Sequence, residues 1–168
     1  QSGKHSGLDS GYPVVDTITN GWHKTDLIII AARPGMGKTA FVIQSGKMVA
    51  ERGVPVGIFS LEMSSKQLFE RLAIAESEID SEKVKKGQLD TYEFSRYLHS
   101  IGNLSELPLY IDDTPFINIV ELRARAMRMK AKYGIKLIIV DYLQLIKGIN
   151  DGNSKMNRDQ ELGLITRT

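Results

Sequence analysis

The chain contains no cysteine. Disulfides and thiolate-held metals are therefore excluded, and the composition suits a reducing compartment. Long hydrophobic runs are missing too. The run at 27–32 is among the longest, far short of the ~20 residues a membrane-spanning helix needs. Charge of one sign is also lacking, with 22 Lys and Arg against 20 Asp and Glu. The net charge of +2 selects no class of partner. Histidine is scarce: His5, His23 and His99 lie far apart and share no ligand spacing. The opening QSGKHSG has no apolar core, so no signal peptide is expected.

What remains is a chain of 168 residues, the size of a single domain. A chain this long buries roughly two-thirds of its unfolded surface. Four short apolar runs, rich in β-branched residues, recur at 27–32, 56–61, 109–112 and 137–141. Their near-continuous hydrophobicity predicts strands covered on both faces, as in a parallel sheet. Helical patterns separate them. One over 38–51 stops at Arg52-Gly53 with Pro55 beyond. Ser64 and Gln67 form a capping box for a helix to about Ser77. Two further helices are expected at 81–86 and 91–103. Asn118 caps a last one that ends at Tyr133-Gly134. Alternating strands and helices define an α/β fold with a mainly parallel sheet flanked by helices. Residues 1–10 are expected to be a flexible segment and 11–168 one core. The polar, glycine-rich stretch 148–157 is expected to be a loop, with a helical pattern over 158–167.

The stretch DLIIIAARPGMGKTAF at 26–41 carries the chemistry. A strand, a tight glycine turn and a helix make a P-loop arrangement. Backbone N–H groups of such a turn cradle phosphate, and the helix N-terminus adds partial positive charge. The candidate nucleotide-binding residues are Arg33, Pro34, Gly35, Met36, Gly37, Lys38, Thr39 and Ala40. Lys38 would reach the outer phosphates, and Thr39 would place its hydroxyl on Mg²⁺. The usual pattern begins with glycine, and Ala32 stands in that position. KLIIVDY ends an apolar strand in Asp141, a second candidate ligand for Mg²⁺. Glu62 follows the second strand, where ligands of open parallel sheets collect. It is the candidate general base for an attacking water. On physical grounds alone it serves equally well as a helix N-terminal carboxylate. Asp112 and Asp113 compete weakly for the same space and otherwise cap the turn toward Pro115.

Arg123, Arg125, Arg128, Lys130, Lys132 and Lys136 cluster on and just after the last long helix. Leu122, Ala126, Met129 and Tyr133 form its buried stripe, so the basic residues read as a solvated face. Lys147 and Lys155 are better placed to line a nucleic-acid channel. No aromatic run suits base stacking, so single-strand binding would run through the phosphate backbone.

Five stretches in order resemble one family: DLIIIAARPGMGKTAF, FSLEMSSKQLFERL, LPLYIDDTP, ELRARAMRMKAKYGIKLIIVDYLQLI and RDQELGLITR. Together they are similar to the C-terminal motor domain of bacterial DnaB-type replicative DNA helicases. SGYPVVDTITNGWHKTDL resembles the family's entry segment, with substitutions at Ser10, Tyr12, Val15 and Asn20. Ala32 at the first P-loop position is typical of the family. The resemblance implies a RecA-like P-loop NTPase core that binds ATP, or another NTP, with Mg²⁺. It implies a homohexameric ring on single-stranded DNA, partnered by primase and a helicase loader, in the cytoplasm at the replication fork. It assigns catalysis to Lys38 and Glu62 and the metal to Thr39 and Asp141, with Gln144 nearby. A sensor glutamine, the main DNA loops and the arginine finger lie further on in the family, beyond residue 168. The core is thus expected to be C-terminally incomplete, binding nucleotide but hydrolysing it poorly without the finger. A RecA-like recombinase and a nucleotide-switched assembly module without motor activity are the rival readings.

Overall fold

The computed structural model describes residues 6–142. Three strands make one parallel sheet: β1 (Val56–Ser60), β2 (Leu109–Asp112) and β3 (Leu137–Asp141), in the order β2-β1-β3. Val56 faces Leu109 on one side and Leu137 on the other, and the last β1 residue, Ser60, pairs with Asp141. All five β1 residues are buried, as a central strand covered on both faces requires.

Side chains alternate across the sheet. Val56 and Ile58 join the larger core with helices α2 (Lys38–Glu51), α3 (Ser65–Ser77) and α5 (Thr91–Glu106). Ile43, Val49, Leu68, Leu72 and Leu104 fill it. Gly46 sits where α2 crosses the sheet, and a Cβ there would lie 2.9 Å from Ile139 Cδ1. Phe59 points the other way, into a smaller core with Leu61, Ile117 and Leu122 under helix α6 (Ile119–Tyr133). Tyr133 stacks on Tyr110 of β2 at 4.0 Å. The short α4 (Ser81–Lys86), capped by Asp80, is tied to α5 by the exposed Lys83–Glu93 pair.

Local signals explain the helix ends. Ser64 and Gln67 make the reciprocal capping box at α3, and Asp90 and Glu93 make another at α5. Asn118 caps α6, and Gly134 ends it in the left-handed conformation. Helix α5 runs on to Glu106, past the expected end at 103.

One expectation needs correcting. The run at 27–32 forms no strand with described residues. It joins neither outer edge of the three-stranded sheet, and Leu27, Ile28 and Ile29 are 62%, 41% and 63% exposed. Strand propensity becomes a strand only through cross-strand pairing and packing, and this run pairs with no described strand. Residues 8–10 contact the elements that follow. Leu8 bridges Trp22, and Ser10 is fully buried. Ser10 N–H donates to the buried Asp16 carboxylate at 2.7 Å, and Ser45 on α2 donates to the Ser10 carbonyl at 2.5 Å. Asp16 belongs to α1 (Pro13–Thr19), a helix the periodicity did not announce. Tyr12, just before it, stacks on Phe41 at 4.3 Å. The N-terminal strap thereby clamps α2 along its length. Truncation of Asp16 to alanine would leave a buried N–H without its acceptor. Such a loss costs about 1–3 kcal/mol, at about 2–4 °C per kcal/mol. A calorimetric Tm unchanged in Asp16→Ala would refute this account of the strap.

Candidate active site

The site gathers at the carboxyl end of the sheet. The turn before α2 begins with Pro34 and Gly35, whose φ of 77° suits the third position of a type II turn. Met36 N–H closes it onto the Arg33 carbonyl at 3.2 Å. Gly37 follows with φ 82° and serves as N-cap of α2 without any side-chain cap. These two left-handed positions are where glycine is needed. The first intrahelical bond runs from Phe41 N–H to the Gly37 carbonyl. The N–H groups of Lys38, Thr39 and Ala40 precede it and have no partner within the helix. A Cβ at Gly35 or Gly37 would meet nothing within 4 Å, so the space beside both residues is open. Residues 31–37 are exposed, while Lys38 and Thr39 are half-buried.

Lys38 turns back over the sheet. Its Nζ lies 3.5 Å from Asp141 Oδ1 and 4.0 Å above the Tyr142 ring. Asp141 is 2% exposed at the end of β3, and Lys38 is its ion-pair partner. Glu62 stands one turn beyond β1. The Leu61 N–H donates to the Asp141 carbonyl at 2.8 Å, and Ser60 Oγ donates to the Met63 carbonyl at 2.6 Å. These bonds fold 60–63 into a tight turn that presents Glu62 to solvent beside Asp141's strand. Glu62 has no capping task, because Ser64, Gln67 and Asp113 already satisfy the start of α3. Lys38 and Asp141 are therefore in direct contact, and Glu62 shares their end of the sheet. Thr39 lies beside Lys38 in the first turn of α2. Gln144, Lys147 and Lys155 lie outside the described residues.

The two other acidic candidates have structural partners. Asp113 accepts the Ser65 N–H at 2.7 Å, which holds its carboxyl below the ordinary range. Asp112 accepts the Thr114 N–H and pairs with Arg125 at 3.1 Å. Burial would raise its carboxyl, but the hydrogen bonds from Thr114 and Arg125 outweigh that and hold it low. The sequence did not announce Arg125 as a partner, because it sits within a run of solvated cations. It also holds Glu121 at 2.7 Å. Because Asp112 titrates lower when folded, its contribution is full above the ordinary carboxylate range. It is lost as pH falls through the folded value. Asp112→Asn should therefore cost about 1–2 kcal/mol at neutral pH, the worth of a half-exposed charged hydrogen bond. The gap to the parent should close in strong acid. Equal denaturant midpoints at pH 7 would count against it.

Among the described residues no three His, Asp or Glu side chains converge as a ready-made metal cage. The oxygen donors at hand, the Asp141 carboxylate and the Thr39 hydroxyl, suit a hard cation that keeps water and substrate oxygens.

Comparison with known proteins places this arrangement. One solved ATPase domain superposes with a TM-score of 0.90 at 28% identity, covering 99% of this chain and 59% of that one. A second structure, of a DnaB-like replicative helicase and its interactions with primase, gives 0.89 at 28% identity, over 98% of this chain and 40% of that one. Fold and turn together define a RecA-like α/β ATPase domain. The family described as DnaB-like helicase C terminal domain matches residues 7–168, and the chain belongs to it. The replicative DNA helicase DnaB of Geobacillus stearothermophilus is 41% identical over all of this chain and 37% of its own length. The replicative DNA helicase DnaC of Bacillus subtilis is 41% identical over 99% of this chain and 37% of its own length. The chain thus spans little more than a third of these relatives.

Proposed function

We propose that this chain is the motor domain of a replicative DNA helicase, coupling NTP hydrolysis to movement along single-stranded DNA and to duplex unwinding. The observation that carries the reading is the contact of Lys38, at the open start of α2, with the buried Asp141. It joins a phosphate-type turn and a metal-type carboxylate at one end of a parallel sheet. The free N–H groups at 38–40 bind and orient the phosphates of ATP or another NTP. Lys38 exchanges the Asp141 carboxylate for phosphate as its counter-charge. Thr39 and Asp141 would hold Mg²⁺, which when bound offsets charge on the phosphates. Glu62, exposed and without an ion pair among the described residues, accepts the proton of the attacking water. The protein would act as a homohexamer on single-stranded DNA, with primase and a loader as partners. The Mg²⁺ and the ring rest on the family, and the primase contact on a structural neighbour described with primase. No helix among the described residues is long and apolar enough to cross a membrane.

The test is phosphate release from Mg-ATP by the intact protein with and without single-stranded DNA, alongside strand separation of a forked duplex. Stimulation by the single strand together with unwinding is expected. DNA-independent turnover without unwinding would leave only a nucleotide-switched module.

A further inference from the structure

Helix α6 is apolar on two opposite sides. The inward stripe is Leu122, Ala126, Met129 and Tyr133, set beneath Phe59, Leu61 and Tyr110. Val120, Ala124, Met127 and Ala131 recur at the spacing of a second stripe. At about 100° per residue it points almost directly away from the first. All four residues are exposed or nearly so, Val120 by 57% and Met127 by 63%. A helix lying on a sheet needs only one apolar stripe to hold it there.

The outer stripe has a frame of charge. Arg123 and Lys130 run along one side, Arg128 and Lys132 along the other, all exposed. Arg123, Arg128 and Lys130 form no ion pair with any described residue. Lys132 lies 4.9 Å over the Tyr133 ring. The acid of the helix, Glu121, is consumed by Arg125. The outer face therefore presents an apolar centre between two uncompensated rows of cations.

We propose that this face of α6 docks an amphipathic helix of a partner protein, one whose apolar stripe is flanked by acidic residues. The two alanines leave grooves for close helix-on-helix approach, and Val120 and Met127 supply the anchors. The cation rows fix register and select acidic flanks. A phosphate backbone would use the cations and leave the apolar stripe uncovered. The exposed apolar helices of a second copy of this chain are poorly matched. The exposed apolar pair of α1, Val14 and Ile18, has its acid, Asp16, buried on Ser10. On α5, Phe94 and Leu98 lie beside Arg96 and His99, and Glu93 is held by Lys83. The proposal stands apart from the nucleotide site and does not depend on it.

The test uses the full chain and two synthetic helices of about 20 residues, long enough to fold on contact. Both carry the same leucine stripe, one with glutamate flanks and one with lysine flanks, followed by fluorescence anisotropy. The glutamate-flanked helix is expected to bind at least about tenfold more tightly than the lysine-flanked one. Met127→Glu and, independently, Ala124→Lys should each weaken it about tenfold or more. Arg123→Glu with Arg128→Glu should abolish the preference. Equal binding of both helices, or binding untouched by Met127→Glu and Ala124→Lys, would overturn the proposal. It would also fall if the arginine reversals weakened only a single-stranded oligonucleotide, which marks a nucleic-acid face. A change of oligomeric state in Met127→Glu would overturn it as well, since a second copy would then be the occupant.

Discussion

Replacing Lys38 by alanine is expected to lower nucleotide turnover by about two to three orders of magnitude, the usual cost of removing one preorganised donor from developing negative charge. Among the described residues, Lys38 is the cation that both adjoins the open start of α2 and touches the buried Asp141. Arginine is not an equivalent replacement. Its planar fork is wider than an ammonium, and the turn accommodates a point charge. The lysine is also Asp141's partner, so removal leaves a carboxylate buried without its cation. The alanine variant should therefore lose thermal stability as well as activity. Phosphate release at saturating Mg-ATP, with Tm measured on the same sample, separates the two effects. Turnover within a few-fold of the parent would remove Lys38 from the machinery.

Glu62→Gln is the second large effect, and it should divide binding from chemistry. Positioned proton acceptors contribute about 10²- to 10⁴-fold. The amide keeps the shape of the side chain and loses only its basicity. Glu62 is exposed, has no ion pair among the described residues, and leaves the capping of α3 to Ser64 and Gln67. Stability and affinity for a fluorescent nucleotide should therefore hardly change while hydrolysis collapses. Were Glu62 merely a helix N-terminal charge, the substitution would move stability by a few tenths of a kcal/mol and leave turnover intact.

Much of this was legible in the residues, and the reasons differ by element. The bounds of α2, α3, α4 and α6 are written in local chemistry: Gly37 before one, Ser64 and Gln67 before another, Gly134 after the last. Caps act over three or four residues, so a single chain displays them. Helix α1 escaped notice because Val14 and Ile18 face outward. Its seven residues carry no core-facing stripe, and it is held instead by Asp16 and a stacked Tyr12. The run at 27–32 misled in the opposite sense, since its isoleucines fit a strand but pair with no described strand and stay largely exposed. The turn, Lys38 and Asp141 were each visible as types in a pattern. Their contact was not, because it depends on α2 packing over β3, a long-range contact that no local signal encodes. Arg125 was hidden within its run of solvated cations, and its partner Asp112 lies on another element.

The central strand carries a consequence for how the site endures motion. β1 is hydrogen-bonded along both edges and buried throughout, so its amides should be among the slowest in the molecule to exchange with deuterium. Glu62 and Asp141 hang from the ends of that protected pair of strands, and the Leu61–Asp141 bond ties them together. The glycine turn hangs from an exposed run with no ladder of its own among the described residues. One half of the site is thus anchored to the last part of the fold to open, the other to a part that opens early. Local unfolding would disengage the glycine turn many times before the two carboxylates lost their spacing.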